Sequence, residues 1–239
     1  MSIERYWPGS SKTRLAGLVI SCVMVVLSFC ASPLLSDTAP QEQHPSSSGH
    51  QLVVLLDVNA NQRKVLPVEL SLAEGVIQKL DQPGNVFSVI TFGSQTPALL
   101  KPWVHADEVL AAIRDVSSEE TRPNYLSVHL YEALNLAFGR FADDARPKSL
   151  LIITEGNDER DKMFQESLSR AQQLHVACNV AMVAGHTFYG TKAIQRYGFY
   201  LRELAGKTRG RYIEVGDRQK KIPRSVDRFS KGILAQDWK

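Results

Sequence analysis

From about residue 50 to the end, two hydrophobic rhythms alternate along the chain. Near-continuous apolar runs at Leu52 to Leu56, Val86 to Phe92, Leu150 to Ile153 and Val176 to Val183 show no sustained inside–outside alternation. Runs of this kind suit strands buried on both faces of a parallel sheet. Between them, apolar residues return at helical spacing. The sets are Leu66, Leu70, Ala73, Ile77 and Leu80; Val109 and Ile113; Leu130, Leu134, Ala137, Phe138 and Phe141; Phe164, Leu168 and Ala171; and Ile194, Tyr197, Leu201 and Leu204. Each predicts an amphipathic helix packed on the sheet. The punctuation agrees: Pro67 falls in a first turn, where a missing N–H costs nothing, Ser127 is a predicted N-cap, and Gly206 is a predicted helix stop. Asp81 to Gly84 predicts a turn, and Ala98 to Trp103 predicts a short edge strand broken at Pro102. Arg211 to Val215 predicts a last strand, after which Ile222, Val226, Phe229 and Ile233 mark a terminal helix expected to pack on the sheet. The expected fold class is α/β, a doubly wound, mostly parallel sheet with helices on both faces.

Ahead of this region the pattern is different. Residues 1–14 form a basic segment with Arg5, Lys12 and Arg14, and residues 15–36 contain no charged side chain. That span predicts a signal sequence or a transmembrane anchor, with the basic segment in the cytoplasm. A cleavage site near Cys30-Ala31-Ser32 is spoiled by Pro33, and Phe29 stands where a lipoprotein box needs a small residue, which favours an uncleaved single-pass anchor over a cleaved signal. Residues 37–49, with Pro, Gln, Ser, His and Gly and no periodic apolar positions, predict a flexible linker. The folded domain is then expected over 50–239, outside the cytoplasm, either anchored at the cell membrane or secreted or periplasmic.

Charge removes one class of partner. The formal charge is +3 over 239 residues, and the basic residues are scattered, so no nucleic-acid footprint is present. Two of the three cysteines lie in the apolar leader, which leaves Cys178 alone in the domain, without a disulfide partner and in a buried-strand context. His105, His129, His175 and His186 are dispersed without metal-ligand spacing inside one element. The loop from Gly185 to Gly190 carries Phe188 and Tyr189, a contact surface or simply loop packing. No Ser-His-Asp order, phosphate-binding glycine loop or redox cysteine pair is present.

The candidate chemistry sits where the first apolar run ends. Asp57, Asn59 and Asn61 are spaced two apart at a strand's carboxyl end, where ligand sites of such sheets lie. The run Leu150 to Ile153 ends likewise, in Glu155-Gly156-Asn157-Asp158. Two buried strands therefore deliver oxygen ligands to one edge.

Several segments in order resemble a von Willebrand factor A (VWA) domain over roughly residues 50–216, closest to bacterial VWFA-related proteins. Leu55 to Asn61 resembles the family's Asp-x-Ser-x-Ser motif, Leu130-Tyr131-Glu132-Ala133-Leu134 resembles the helix after its metal-binding Thr, and Ile152 to Gly156 resembles its Asp-Gly strand end. Gly206 to Tyr212 resembles its approach to the last strand. The resemblance implies a metal-ion-dependent adhesion site, in which Mg²⁺ or Ca²⁺ is held by oxygen ligands and keeps an open position for a partner's carboxylate. The implied ligand set is Asp57, Asn59, Asn61, Ser127, Glu155 and Asp158. Only Asp57 matches the pattern. Asn59 and Asn61 replace serines, Val128 with Ser127 beside it replaces the Thr, and Glu155 replaces the Asp, with Asp158 as a substitute carboxylate. These departures predict a degenerate site with weak or absent metal binding, in an exported or membrane-anchored protein-binding module without catalysis.

Two other readings remain open at this point. In one, Asp57, Asn59 and Asn61 are turn and cap residues of a structural module with a vestigial metal site. In the other, Asp57 is the nucleophile of a haloacid-dehalogenase-like phosphatase, with Thr91, Lys148 and Asp158 in supporting roles, although the second acid of such enzymes is here Asn59.

Overall fold

β1 (Gln51–Asp57) occupies the middle of a six-stranded sheet and has no exposed residue. On one side it pairs in parallel with β2 (Val86–Phe92), and on the other with β4 (Lys148–Thr154). β5 (Val176–Met182) and the short β6 (Tyr212–Glu214) continue the parallel set, while β3 (Ala98–Val104) closes the far edge antiparallel to β2. The order is β3-β2-β1-β4-β5-β6. The computed structural model describes residues 49–59, 64–117, 128–141, 145–154, 161–183, 191–216 and 219–235, with backbone alone at 161–162 and 191–197. The chain divides into two units, Met1–Glu42 and Gln43–Lys239, and the first lies outside the described residues. Among the described residues no helix is long and apolar enough to cross a membrane.

Alternate residues of each strand feed two separate apolar cores, because successive side chains point to opposite faces. Leu52, Val54 and Leu56 meet α1 (Leu66–Lys79), α2 (Ala106–Arg114) and α6 (Ile222–Leu234). Val53 and Leu55 meet α3 (Leu130–Phe138), α4 (Asp161–Gln173) and α5 (Thr191–Lys207). Phe229 and Ile233 of the terminal helix are fully buried in the first core, as its periodicity predicts. α6 also lies against α1, where Gly75 leaves room for Val226. Cys178 is buried in the second core, and burial pushes its thiol pKa up to about 12.

Four local expectations are corrected. The buried face of α1 runs through Val68, Leu72 and Val76 beside Leu66, Ala73 and Ile77, while Leu70 is only half-buried. A helix enclosed by the sheet and by α2 and α6 buries a wider arc than one apolar stripe. β3 is not broken at Pro102. Its pairing shifts register between Val89↔Lys101 and Phe87↔Val104, so β3 carries an extra residue where the proline falls, and a bulged edge strand tolerates a missing N–H. The N-cap of α3 is His129 rather than Ser127 and makes no side-chain capping bond. Its N–H donates instead to the Gly93 carbonyl at 2.9 Å, and that bond fixes where the helix begins. Finally, α5 runs through Gly206 to Lys207. It is stopped by Arg209, in the left-handed region at φ 59, with the Gly210 N–H returning to the Ala205 carbonyl.

Candidate functional site

The chain leaves β1 toward β2 on one side and later places β4 on the other. The crevice between the carboxyl ends of β1 and β4 is therefore the topological switch point, the position where open α/β sheets accept ligands. Asp57 and Thr154 stand on its two walls. Their strands run in register, Leu56 beside Ile153, so the next residues are brought together. The Thr154 hydroxyl donates to Asp57 Oδ2 at 2.8 Å, across the crevice. The other oxygen, Oδ1, accepts the Asn59 N–H at 3.1 Å, which turns the chain immediately after the strand. Asp57 and Thr154 are fully buried, and Asn59 nearly so.

The surrounding backbone is also tied down. The Val58 N–H donates to the Phe92 carbonyl at 2.8 Å, and the Val183 N–H to the Thr154 carbonyl at 2.9 Å. The ends of β1, β2, β4 and β5 thus form one hydrogen-bonded rim, and His129, bonded to Gly93, brings the start of α3 to it. Val128, which stands where the resemblance places a metal-binding Thr, is 1% exposed and packs in the apolar core with Val53, Leu55 and Phe92. Asn61, Ser127, Glu155 and Asp158 lie outside the described residues, as do His186 and the aromatic pair of its loop.

These observations bear on the fit of a divalent ion. Mg²⁺ requires six oxygen donors in a near-octahedral array. The described side chains at the crevice contribute one carboxylate with a hydrogen bond on each oxygen, the Thr154 hydroxyl, one amide at Asn59, and a hydrocarbon at Val128. Among the described residues no three His, Cys, Asp or Glu side chains gather in a metal-holding group. Four of the six candidate ligands lie outside the described residues, so Asp57 and Asn59, with the Thr154 hydroxyl beside them, are the described part of the donor set.

Among the described residues, the members of the phosphatase reading do not gather around Asp57. Lys148 begins β4 beside Gln51, at the opposite end of the sheet. At the rise of an extended strand that is about 20 Å from Asp57, far beyond contact. Thr91 pairs with Leu56 and so points to the other face of the sheet from Asp57. Asp57 itself is 0% exposed, and each of its oxygens accepts one hydrogen bond.

Two residues at this edge escape a reading of the sequence alone. Thr154 is visible only as the residue before Glu155, and its role follows from strand register. Glu69, near the start of α1, is 0% exposed. Its signal is present in the sequence, since it lies three after Leu66 and four before Ala73 on the buried face, but a charged residue is easily taken for a surface one.

Comparison with known proteins gives a likeness of fold. No protein-family model matches the sequence, and no curated protein matches it. Solved structures do. An aerotolerance-related membrane protein from Bacteroides fragilis is 16% identical with a TM-score of 0.53, over 75% of this chain and 100% of that one. The SpRpn10 VWA domain is 11% identical with a TM-score of 0.56, over 75% and 94%. Proximal thread matrix protein 1 from the mussel byssus, with a zinc-occupied MIDAS motif, is 12% identical with a TM-score of 0.59, over 78% of this chain and 46% of that one. At these identities the likeness is one of fold.

Proposed function

From a chain with the von Willebrand factor A fold, we propose a protein-binding module, held outside the cytoplasm by residues 15–36, that engages its partner through the carboxyl edge of the sheet. Its metal-ion-dependent adhesion site is degenerate, so the ion contributes weakly or not at all. The observation that supports this reading is the crevice itself. It stands at the switch point, yet the Asp57 carboxylate is used to join β1 to β4 through Thr154. The membrane placement draws support from the charge-free leader and from the likeness to a membrane protein. A partner carboxylate, the ligand type that the family resemblance implies, remains the chemistry expected at this edge.

Site-specific photo-crosslinking in intact cells tests the reading. A photoreactive residue at Ser117, exposed near the carboxyl edge, is expected to capture a discrete protein. One at Asp81, exposed at the opposite edge between α1 and β2, is expected to capture none. Equal capture from both positions, or from Asp81 alone, would remove the edge from the proposal. Protection of the domain from external protease in spheroplasts, with recovery in the cytosolic fraction, would remove the export.

A further inference from the structure

A groove of about 500 Å³ opens at the same edge of the sheet but on the other face from the Asp57–Thr154 pair. It is lined by Val58 and Thr91 at the ends of the central strands, by Leu100 and Lys101 of β3, and by Ala112 and Asp115 at the end of α2. Its position follows from strand parity. Leu56 and Val89 belong to the core under α1, α2 and α6, and Thr91, paired with Leu56, shares that side, whereas Asp57 shares the side of Val53 and Leu55.

We infer that this groove is the recognition site for an extended segment of a protein partner, whose acidic side chain pairs with Lys101 in place of a metal ion. The inference rests on the proposed protein-binding function and deepens it. Three features of the groove select that occupant. Lys101 is the cation of the lining, and its pair with Glu108 is loose, 3.8 Å between side chains 37% and 51% exposed, so an incoming carboxylate can displace it at little cost. Asp115 supplies an acceptor for a backbone N–H of the same segment. The wall is β3, an edge strand whose Ala98, Leu99 and Leu100 are all exposed. A sheet edge offers a row of backbone donors and acceptors that an extended chain matches, and Leu100, in the lining and 36% exposed, gives such a chain apolar cover. The small side chain of Ala112 leaves the groove its width.

The test uses the full-length chain in detergent micelles and fluorescein-labelled, capped heptapeptides with Glu, Gln or Lys at the centre, flanked by valines, read by anisotropy. The Glu peptide is expected to bind at least tenfold more tightly than the Gln and Lys peptides. Lys101→Ala should erase that preference, and Ala111→Trp, an exposed position on the rim of the groove, should abolish binding while the melting temperature is kept. Excess EDTA should change nothing. Binding that needs Mg²⁺, that ignores both substitutions, or that favours the Gln or Lys peptide would overturn the groove assignment, as would no binding at millimolar peptide. Such a failure is distinguishable from failure of the broader function, because a photoreactive residue at Gln95, exposed after β2 at the carboxyl edge and outside the groove lining, would still capture a partner in cells if the edge binds by another route.

Discussion

The two edges of this sheet both bury polar side chains, yet they use them differently. At the amino-terminal edge, side chains close loops by bonding to backbone. Asn85 accepts the His50 N–H at 2.7 Å and donates to the Leu80 carbonyl. Midway along β5, Asn179 likewise accepts the Arg211 N–H at 3.1 Å, just before β6. Thr208 accepts the Cys178 N–H at 3.0 Å and donates to Leu204. Glycines allow close backbone approach in these loops: a Cβ at Gly49 would overlap the carbonyl of Gly84 in the turn before β2, and one at Gly210 the carbonyl of Cys178 in β5. At the carboxyl edge, the Asp57 carboxylate bonds one backbone N–H and one side chain, Thr154, on a neighbouring strand. Side chain to side chain bonds are the minority class in folded proteins. Burial of a polar group is therefore not in itself a mark of function here. What sets the carboxyl edge apart is a carboxylate at the switch point joined across the crevice, with an open groove on the reverse face.

Substitutions at the two edges should separate these roles, the largest effect coming from the amino-terminal one. Gly210→Ala drives a Cβ into backbone, which cannot rotate away; the expected loss is about 4 kcal/mol or more, at the top of the range for single changes, read by urea denaturation. Phe229→Ala, in the core between the edges, removes a fully buried ring of the terminal helix and should cost about 3 kcal/mol. An unchanged melting temperature would mean that α6 does not close the domain.

Thr154→Val comes next, because it keeps the shape and strips the hydroxyl from Asp57 Oδ2. Leaving a buried acceptor short of one partner should cost about 1–2 kcal/mol. A double-mutant cycle with Asp57→Asn should show coupling. Additive losses would mean that the two side chains do not act as a pair. The smallest effect is expected from Gly206→Ala near the end of α5, where a Cβ meets nothing within 4 Å. It should stabilise by about 0.5 kcal/mol through helix propensity alone, and a loss would show that this turn, like Gly210, is pressed against backbone.

Much of this architecture is legible in the order of residues, because strands buried on both faces and helices buried on one leave distinct rhythms. Leu52 to Leu56 and Leu150 to Ile153 announce their strands, and Phe229 with Ile233 announces the closing helix. The boundaries were less legible where tertiary contacts decide them. Pro102 is absorbed by a bulge that only the partner strand reveals, and α3 starts where Gly93 receives His129. Within the candidate site, Asp57 stood out as the end of the first strand, but its partner did not. Thr154 follows from the pairing of Leu56 with Ile153, a register that no local pattern encodes. Lys101 belongs to the groove only because β3 runs antiparallel and brings its first half to the edge where β2 ends.

The direct test of the degenerate site is the melting temperature of the full-length chain with and without millimolar Mg²⁺, and then with Ca²⁺, which accepts looser geometry. An ion that binds only the folded state adds RT ln(1 + [L]/Kd), about 2.7 kcal/mol at a hundredfold excess over Kd. The wild type should show little or no shift, while the combined change Asn59→Ser, Asn61→Ser, Val128→Thr and Glu155→Asp should restore a clear one. A strong Mg²⁺ shift in the wild type that disappears in Asp57→Ala would contradict the account and make the ion the centre of recognition.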